Sequence, residues 1–200
     1  GVIDGLAITL EKNIPVGAGL GGGSADAAAL LRAVNALSRA PLDSSVLYDL
    51  AASLGADVPV CLAGGCQRIA GIGDSMTPFT MPQTGAILLA NPRIPLSTKD
   101  VFTHFGGHYS GFAGSLDGLD AAGLVALGND LTPAALALVP QIRSCLEIME
   151  AASGVKCAAM SGSGASCFAL FEQASDAKAA AAQLETAGYW AIASQIYQVD

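Results

Sequence analysis

Basic residues are scarce in this chain: nine lysines and arginines stand against seventeen aspartates and glutamates, a net charge of −8. A surface of that sign repels phosphate backbones and anionic lipid, so neither nucleic acid nor a membrane is expected as a partner. No apolar run reaches the ~20 residues of a membrane-spanning helix. Aromatics supply only 6% of the residues, and alanine inflates the 52% apolar share. Histidine is nearly missing. His104 and His108 are four apart, but Gly106, Gly107 and Gly111 oppose the helix that would turn both toward a metal, and surface positions are expected. Cys61, Cys66, Cys145, Cys157 and Cys167 contain no Cys-x-x-Cys pair and have no histidine nearby, so they lack zinc-site spacing. They read as reduced, mostly buried thiols of a cytoplasmic protein. Two hundred residues suffice for one large domain or two small ones.

Glycine is plentiful, and its placement is the informative part. Pro15-Val16-Gly17-Ala18-Gly19-Leu20-Gly21-Gly22-Gly23-Ser24 puts five glycines between a proline and a serine and runs directly into an Ala/Leu-rich helical pattern. Without Cβ atoms, successive backbone N–H groups can turn toward one point, and the following helix adds its free N–H groups and positive dipole end there. No Gly-Lys-Ser/Thr closes the segment, so it is not a P-loop, and a Gly-x-Gly-x-x-Gly match by itself is a weak signal. On the residues alone it is a phosphate cradle or a flexible turn that caps a helix.

Periodicity places the rest. Val2 to Leu10 alternates like a strand, and Ser24 to Leu37 reads as a helix with a capping serine and Leu30, Leu31, Val34 and Leu37 on one face. Asp43-Ser44-Ser45 opens a second helix that Gly55 stops, which sets Asp57 just past a helix end and before a short buried strand, Val58 to Leu62. Further strands are expected at 67–72, 86–90, 155–160, 166–171 and 189–195, and helices at 98–105 and 177–187. A long helix over 134–152 must break near Pro140. Residues 106–128 read as loop, Asn129-Asp130 as a helix-start turn, and the character of the chain changes near Met81 to Gly85. The last strands and helix suggest an α+β sandwich on an antiparallel sheet.

Three segments together carry a resemblance. Pro15-x-x-x-Gly19-Leu20-Gly21-Gly22-Gly23-Ser24 followed by Asp26-Ala27-Ala28 is similar to the second motif of the galactokinase, homoserine, mevalonate and phosphomevalonate (GHMP) kinase superfamily. Gly55-Ala56-Asp57-Val58-Pro59-Val60 resembles a catalytic Gly-Ala-Asp-Val-Pro segment, and Met160-Ser161-Gly162-Ser163-Gly164-Ala165-Ser166-Cys167-Phe168 resembles the superfamily's third motif. The triple glycine is most similar to the branch that phosphorylates the 2-hydroxyl of 4-diphosphocytidyl-2-C-methyl-D-erythritol, on the methylerythritol phosphate route to isoprenoid precursors.

The resemblance implies a two-domain α+β fold with its active site in the cleft between the domains. Residues 1–84 would be the remaining part of the N-terminal, ATP-binding domain, and 85–200 the C-terminal domain, a ferredoxin-like sandwich. Pro15, Gly17, Gly19, Leu20, Gly21, Gly22, Gly23 and Ser24 would hold ATP, with Ser24 also a candidate Mg²⁺ ligand. Asp57 would be the catalytic aspartate. Phe102 would stack on cytosine, Ile72 would meet it through backbone groups, and Thr98 would be a polar wall residue. Ser161, Gly162, Ser163 and Gly164 would close over phosphates or acceptor. Each also has a plainer reading: helix cap for Ser24, turn residue for Asp57, core aromatic for Phe102, tight turn for Ser161 to Gly164. Ser24-Ala25 replaces the serine pair of many relatives, so one hydroxyl fewer is present. Gly1 is not an initiator methionine, and family members begin with a segment that bears a catalytic lysine and cytidine contacts; the chain is therefore expected to be the C-terminal portion of such a kinase. A homoserine- or mevalonate-type kinase and a non-catalytic nucleotide-binding remnant are the alternatives.

Overall fold

The computed structural model describes residues 5–71, 75–80, 85–111, 116 and 118–196. The described residues of Gly1–Ile14 and Gly21–Thr80 form one compact unit, and those of Pro15–Leu20 and Met81–Tyr197 a second.

The first unit is built on three helices, α1 (Gly22–Leu37), α2 (Ser44–Leu54) and α3 (Val58–Ala63), followed by a hairpin of β1 (Cys66–Ala70) and β2 (Ser75–Phe79). Its core is small: Ala28, Ala51, Val58 and Leu62, with Leu31, Leu47, Tyr48 and Cys61 packed around them. Small alanines on α1 and α2 let α3 approach closely, and Val58 and Leu62, one turn apart on α3, fill the space. The strand expected over Val58 to Leu62 is thus a helix. Pro59 in the first turn presets φ for helix entry, and one buried stripe at helical spacing outweighs the β-branched valines. Residues 5–13 have no regular structure, and Leu6, Ile8 and Leu10 are exposed. The alternation there is strand-like, yet among the described residues no strand pairs with it; residues 2–4 lie outside them.

The second unit holds β3 (Ala86–Asn91), α4 (Thr98–Phe105), α5 (Ala121–Ala126), α6 (Thr132–Leu138), α7 (Gln141–Glu150), β4 (Val155–Met160), β5 (Cys167–Phe171), α8 (Ala174–Thr186) and β6 (Trp190–Ser194). The sheet order is β4-β5-β3-β6 and every pairing is antiparallel, the topology of a ferredoxin-like sandwich. Strand alternation turns Ala86, Leu88 and Ala90 of β3, and Cys167, Ala169 and Phe171 of β5, toward Ile142, Cys145 and Met149 of α7 and Ala177, Ala180 and Leu184 of α8. Gly85 is required at the mouth of β3, because a Cβ there would sit 1.8 Å from the Glu172 carbonyl oxygen. Ser97 caps α4 by accepting from the Asp100 N–H at 3.3 Å, and left-handed Gly106 ends it. The expected break falls at Pro140: Val139, before it, is driven to φ −134° and ψ 84°, and α7 starts afresh. Short α5 interrupts the region read as loop; Asp120 caps it by accepting from the Gly123 N–H at 2.8 Å. Among the described residues no helix is long and apolar enough to cross a membrane.

Candidate active site

Pro15–Leu20 folds as a tight loop on the second unit, with the Ala18 N–H donating to the Pro15 carbonyl at 3.2 Å. Gly17 and Gly19 take φ of 74° and 72°, where side chains are strained. At Gly19 the requirement is doubled, since a Cβ would lie 2.3 Å from the Gly164 carbonyl oxygen. The glycine-rich loop therefore rests directly on the third motif, which turns between β4 and β5. That turn is closed by the Ser161 N–H donating to the Ser166 carbonyl and the Gly164 N–H to the Ser161 carbonyl, both at 2.9 Å.

Along the chain the next residue, Gly21, is the N-cap of α1 in the left-handed region at φ 65°, and no side chain caps the helix. Ser24 sits inside the first turn rather than at the cap, because α1 begins two residues earlier than its propensity suggested: Gly22 and Gly23 are drawn into the helix, and the Ala25 N–H makes its bond to the Gly21 carbonyl at 2.9 Å. The N–H groups of Gly22, Gly23 and Ser24 precede the helix's own acceptors, as in any first turn. A Cβ on Gly22 or Gly23 would meet nothing within 4 Å, so the side of the turn that side chains would occupy is open. Such a turn suits an anion.

Asp57 is the N-cap residue of α3, with an exposed carboxylate that makes no capping bond. Arg32 of α1 grips the opposite end of this helix, its Nη1 donating to the carbonyls of Cys61 at 2.9 Å and Leu62 at 3.1 Å. A cation at those last carbonyls complements the helix dipole. The Cys61 thiol lies between the two: burial raises its pKa, the Asp57 carboxylate adds to the rise, and Arg32 opposes it. On the same unit Lys12 pairs with Asp26 at 2.6 Å.

On the second unit Phe102 of α4 is half exposed and lines a cavity of about 710 Å³ together with Tyr109, Asn129, Met160, Gly162 and Phe168. Thr98 and Ser163 place their hydroxyl oxygens 3.0 Å apart, which joins the start of α4 to the third motif. Pro15, Gly17, Gly19, Leu20, Thr98, Phe102 and Ser161 to Gly164 are thus assembled on one unit, whereas Gly21 to Ser24 and Asp57 belong to the other. Ile72 lies outside the described residues.

Three side chains that periodicity passed over organise the third motif. Asn129 does begin a helix-start turn, its Oδ1 accepting from the Leu131 N–H, but its Nδ2 also donates to the Met160 and Gly162 carbonyls at 3.2 and 2.8 Å. Asn91 and Ser166 are buried and bonded to each other. The available signal was polarity out of place: an asparagine closing an apolar strand, and a serine inside Ala165-Ser166-Cys167-Phe168.

Comparison with known proteins identifies the family. The profile of the GHMP kinases N terminal domain matches residues 1–65, and that of the GHMP kinases C terminal domain matches residues 113–189. The 4-diphosphocytidyl-2-C-methyl-D-erythritol kinase of Parvibaculum lavamentivorans is 42% identical over 201 residues, which cover 95% of this chain and 69% of that protein. The chain belongs to the 4-diphosphocytidyl-2-C-methyl-D-erythritol kinase family. The Rhodopseudomonas palustris protein of this family is 41% identical over 175 residues, 80% of this chain, and the chain spans only 58% of its length. A crystal structure of a 4-(cytidine 5'-diphospho)-2C-methyl-D-erythritol kinase superposes with a TM-score of 0.74 at 36% identity, over 92% of this chain and 68% of that one. A homoserine kinase from Cytophaga hutchinsonii superposes with a TM-score of 0.70 at 21% identity, over 92% and 67%, a likeness of fold. The α+β architecture of the kinase family is therefore that of this chain.

Proposed function

We propose that this polypeptide serves an ATP-dependent kinase that phosphorylates the 2-hydroxyl of 4-diphosphocytidyl-2-C-methyl-D-erythritol, in the cytoplasm, on the route to isoprenoid precursors. The observation that carries the reading is the glycine segment: a loop seated on the third motif that passes through left-handed Gly21 into an uncapped helix N-terminus. Family membership supplies the acceptor. The homoserine- or mevalonate-type alternative is less favoured, since the homoserine kinase likeness is at 21% identity against 42% for the curated relative.

In this reading residues 1–84 belong to the ATP-binding domain and 85–200 to the C-terminal one. The N–H groups of Gly19 and Gly21 to Ser24 bind and orient the phosphates, together with the flanking Pro15, Gly17 and Leu20. Among the described residues no cluster of three or more acidic, His or Cys side chains could hold a metal. The Ser24 hydroxyl is the candidate protein ligand for Mg²⁺, which when bound would neutralise charge on the transferring group. Asp57 accepts the proton of the acceptor hydroxyl as the new O–P bond forms and the bond to the ADP oxygen breaks, a contribution of roughly 10²–10⁴-fold. Phe102 offers a half-exposed ring for the cytosine, and Ile72 is the candidate for backbone contacts to the same base. Thr98 and Ser161 to Gly164 line the acceptor.

Release of ADP from Mg·ATP with the cytidyl acceptor, against homoserine and mevalonate as controls, tests the reading. Turnover with the cytidyl compound alone is expected; turnover with either control instead would overturn the acceptor assignment.

A further inference from the structure

We infer that Asn91 and Ser166 are positioning residues for the glycine-rich loop: they fix the peptide plane at Ala18–Gly19 and so aim the Gly19 N–H for phosphate binding. This rests on the ATP reading of the loop given above.

Asn91 closes β3 and Ser166 immediately precedes β5; they are 4% and 0% exposed, the buried polar side chains among the described residues. Three hydrogen bonds run through them in one direction. The Arg93 N–H donates to Asn91 Oδ1 at 2.7 Å, which settles the orientation of the amide and holds Arg93 in the left-handed region at φ 59°. Asn91 Nδ2 then faces Ser166 Oγ at 2.8 Å and can only donate to it. The single Ser166 hydroxyl proton is left for the Ala18 carbonyl. In a planar trans peptide the C=O and the next N–H point opposite ways. Pulling the Ala18 carbonyl inward therefore turns the Gly19 N–H outward, away from the buried pair.

Among the described residues no other hydrogen bond holds this peptide. The Ser161 hydroxyl, 3.4 Å from the Gly19 carbonyl, acts on the following peptide plane, and Gly19 meets Gly164 by close backbone packing that restricts approach without choosing an N–H direction. A buried carbonyl left without its donor is costly, so the plane would rotate to find another partner and take the Gly19 N–H with it.

The test uses the whole chain with Mg·ATP as probe. Titration calorimetry is expected to give about tenfold weaker binding for Ser166→Ala, equivalent to about 1.4 kcal/mol, with Ser166→Cys, a weak donor of similar size, in between. Hydrogen exchange of peptides covering residues 15–21 is expected to rise in the same order, while β3, β5 and α8 keep their protection. Unchanged ATP affinity in Ser166→Ala beside a wild type that binds would overturn the inference and leave the ATP reading standing, as would a uniform rise in exchange with no selective loss at the loop. A wild type that takes up no Mg·ATP would sink the reading itself.

Discussion

In the second unit Leu88, Phe171, Ile142, Met149 and Leu184 are fully buried between one sheet face and two helices. In the first, α1 and α2 carry comparable apolar side chains, yet Leu30, Val34, Leu37, Val46, Leu50 and Leu54 stand 36–63% exposed around a core of four small or medium residues. Side chains that stay in water contribute little to folding, so apolar burial supports the second unit more than the first. The consequence bears on chemistry: Asp57 and the α1 N-terminus sit on the thinly cored unit, and their geometry depends on a few close contacts such as the Arg32 grip on α3. Apolar faces left open in this way are surfaces that other protein can cover.

The sharpest way to separate chemistry from stability is Asp57→Asn. Turnover in steady-state assays is expected to fall by roughly 10²–10⁴-fold, with Mg·ATP affinity and melting temperature nearly unchanged, because the carboxylate is exposed and caps nothing. Retained turnover would remove Asp57 from the chemistry. For stability the contrasting pair is Phe171→Ala, expected to cost about 3–5 kcal/mol in denaturant unfolding, and Leu54→Ala, expected to stay within about 0.5 kcal/mol. Equal losses would break the contrast between the units.

Within the glycine segment the same contrast recurs on a finer scale. Gly19→Ala, strained at φ 72° and blocked by Gly164, is expected to cost about 1–3 kcal/mol of stability. Gly22→Val meets open space, so it should fold normally and weaken Mg·ATP binding in calorimetry; unchanged affinity would show that this turn holds no phosphate. The smallest effect concerns alkali. The neighbouring Cys145 thiol, and after it burial, raise the pKa of Cys167 from the ordinary value of 9.0. A pKa raised by folding gives stability that is complete below pH 9.0 and declines as pH climbs beyond it. Cys167→Ala should flatten that alkaline decline in pH-dependent melting.

Much of the second unit was legible because propensity, capping and burial agree there. Ser97, Gly106, Pro140 and the alternating strands announce their elements, and α4 falls where its caps place it. In the first unit local signals competed. Val58 to Leu62 carries strand-forming valines, but Pro59 and the i,i+4 contact of Val58 and Leu62 with α1 and α2 made a helix. Alternation over Val2 to Leu10 announced a strand, yet its described residues, 5–10, are unpaired among the described residues, since pairing is a tertiary fact that alternation cannot supply. Of the candidate site, Gly17, Gly19 and Gly21 were visible because a positive φ leaves glycine as the residue that fits. The partners of Ser166 and Arg32 were not: each donates to a carbonyl distant in sequence, and a carbonyl leaves no mark on the residue that bears it, while Asn91 acts through the Ser166 hydroxyl 75 residues away.

The order β4-β5-β3-β6 has a consequence for how the protein is made. Strand β3 is central in the finished sheet but is the first of the four to be synthesised, and both of its neighbours come from the last part of the chain. From Asn91 to Cys167 is about 75 residues, which a ribosome working at about 5–20 residues per second adds in roughly 4–15 s. For that interval Ala-Ile-Leu-Leu-Ala is an unpaired apolar strand on a nascent chain, the kind of segment that holding chaperones bind.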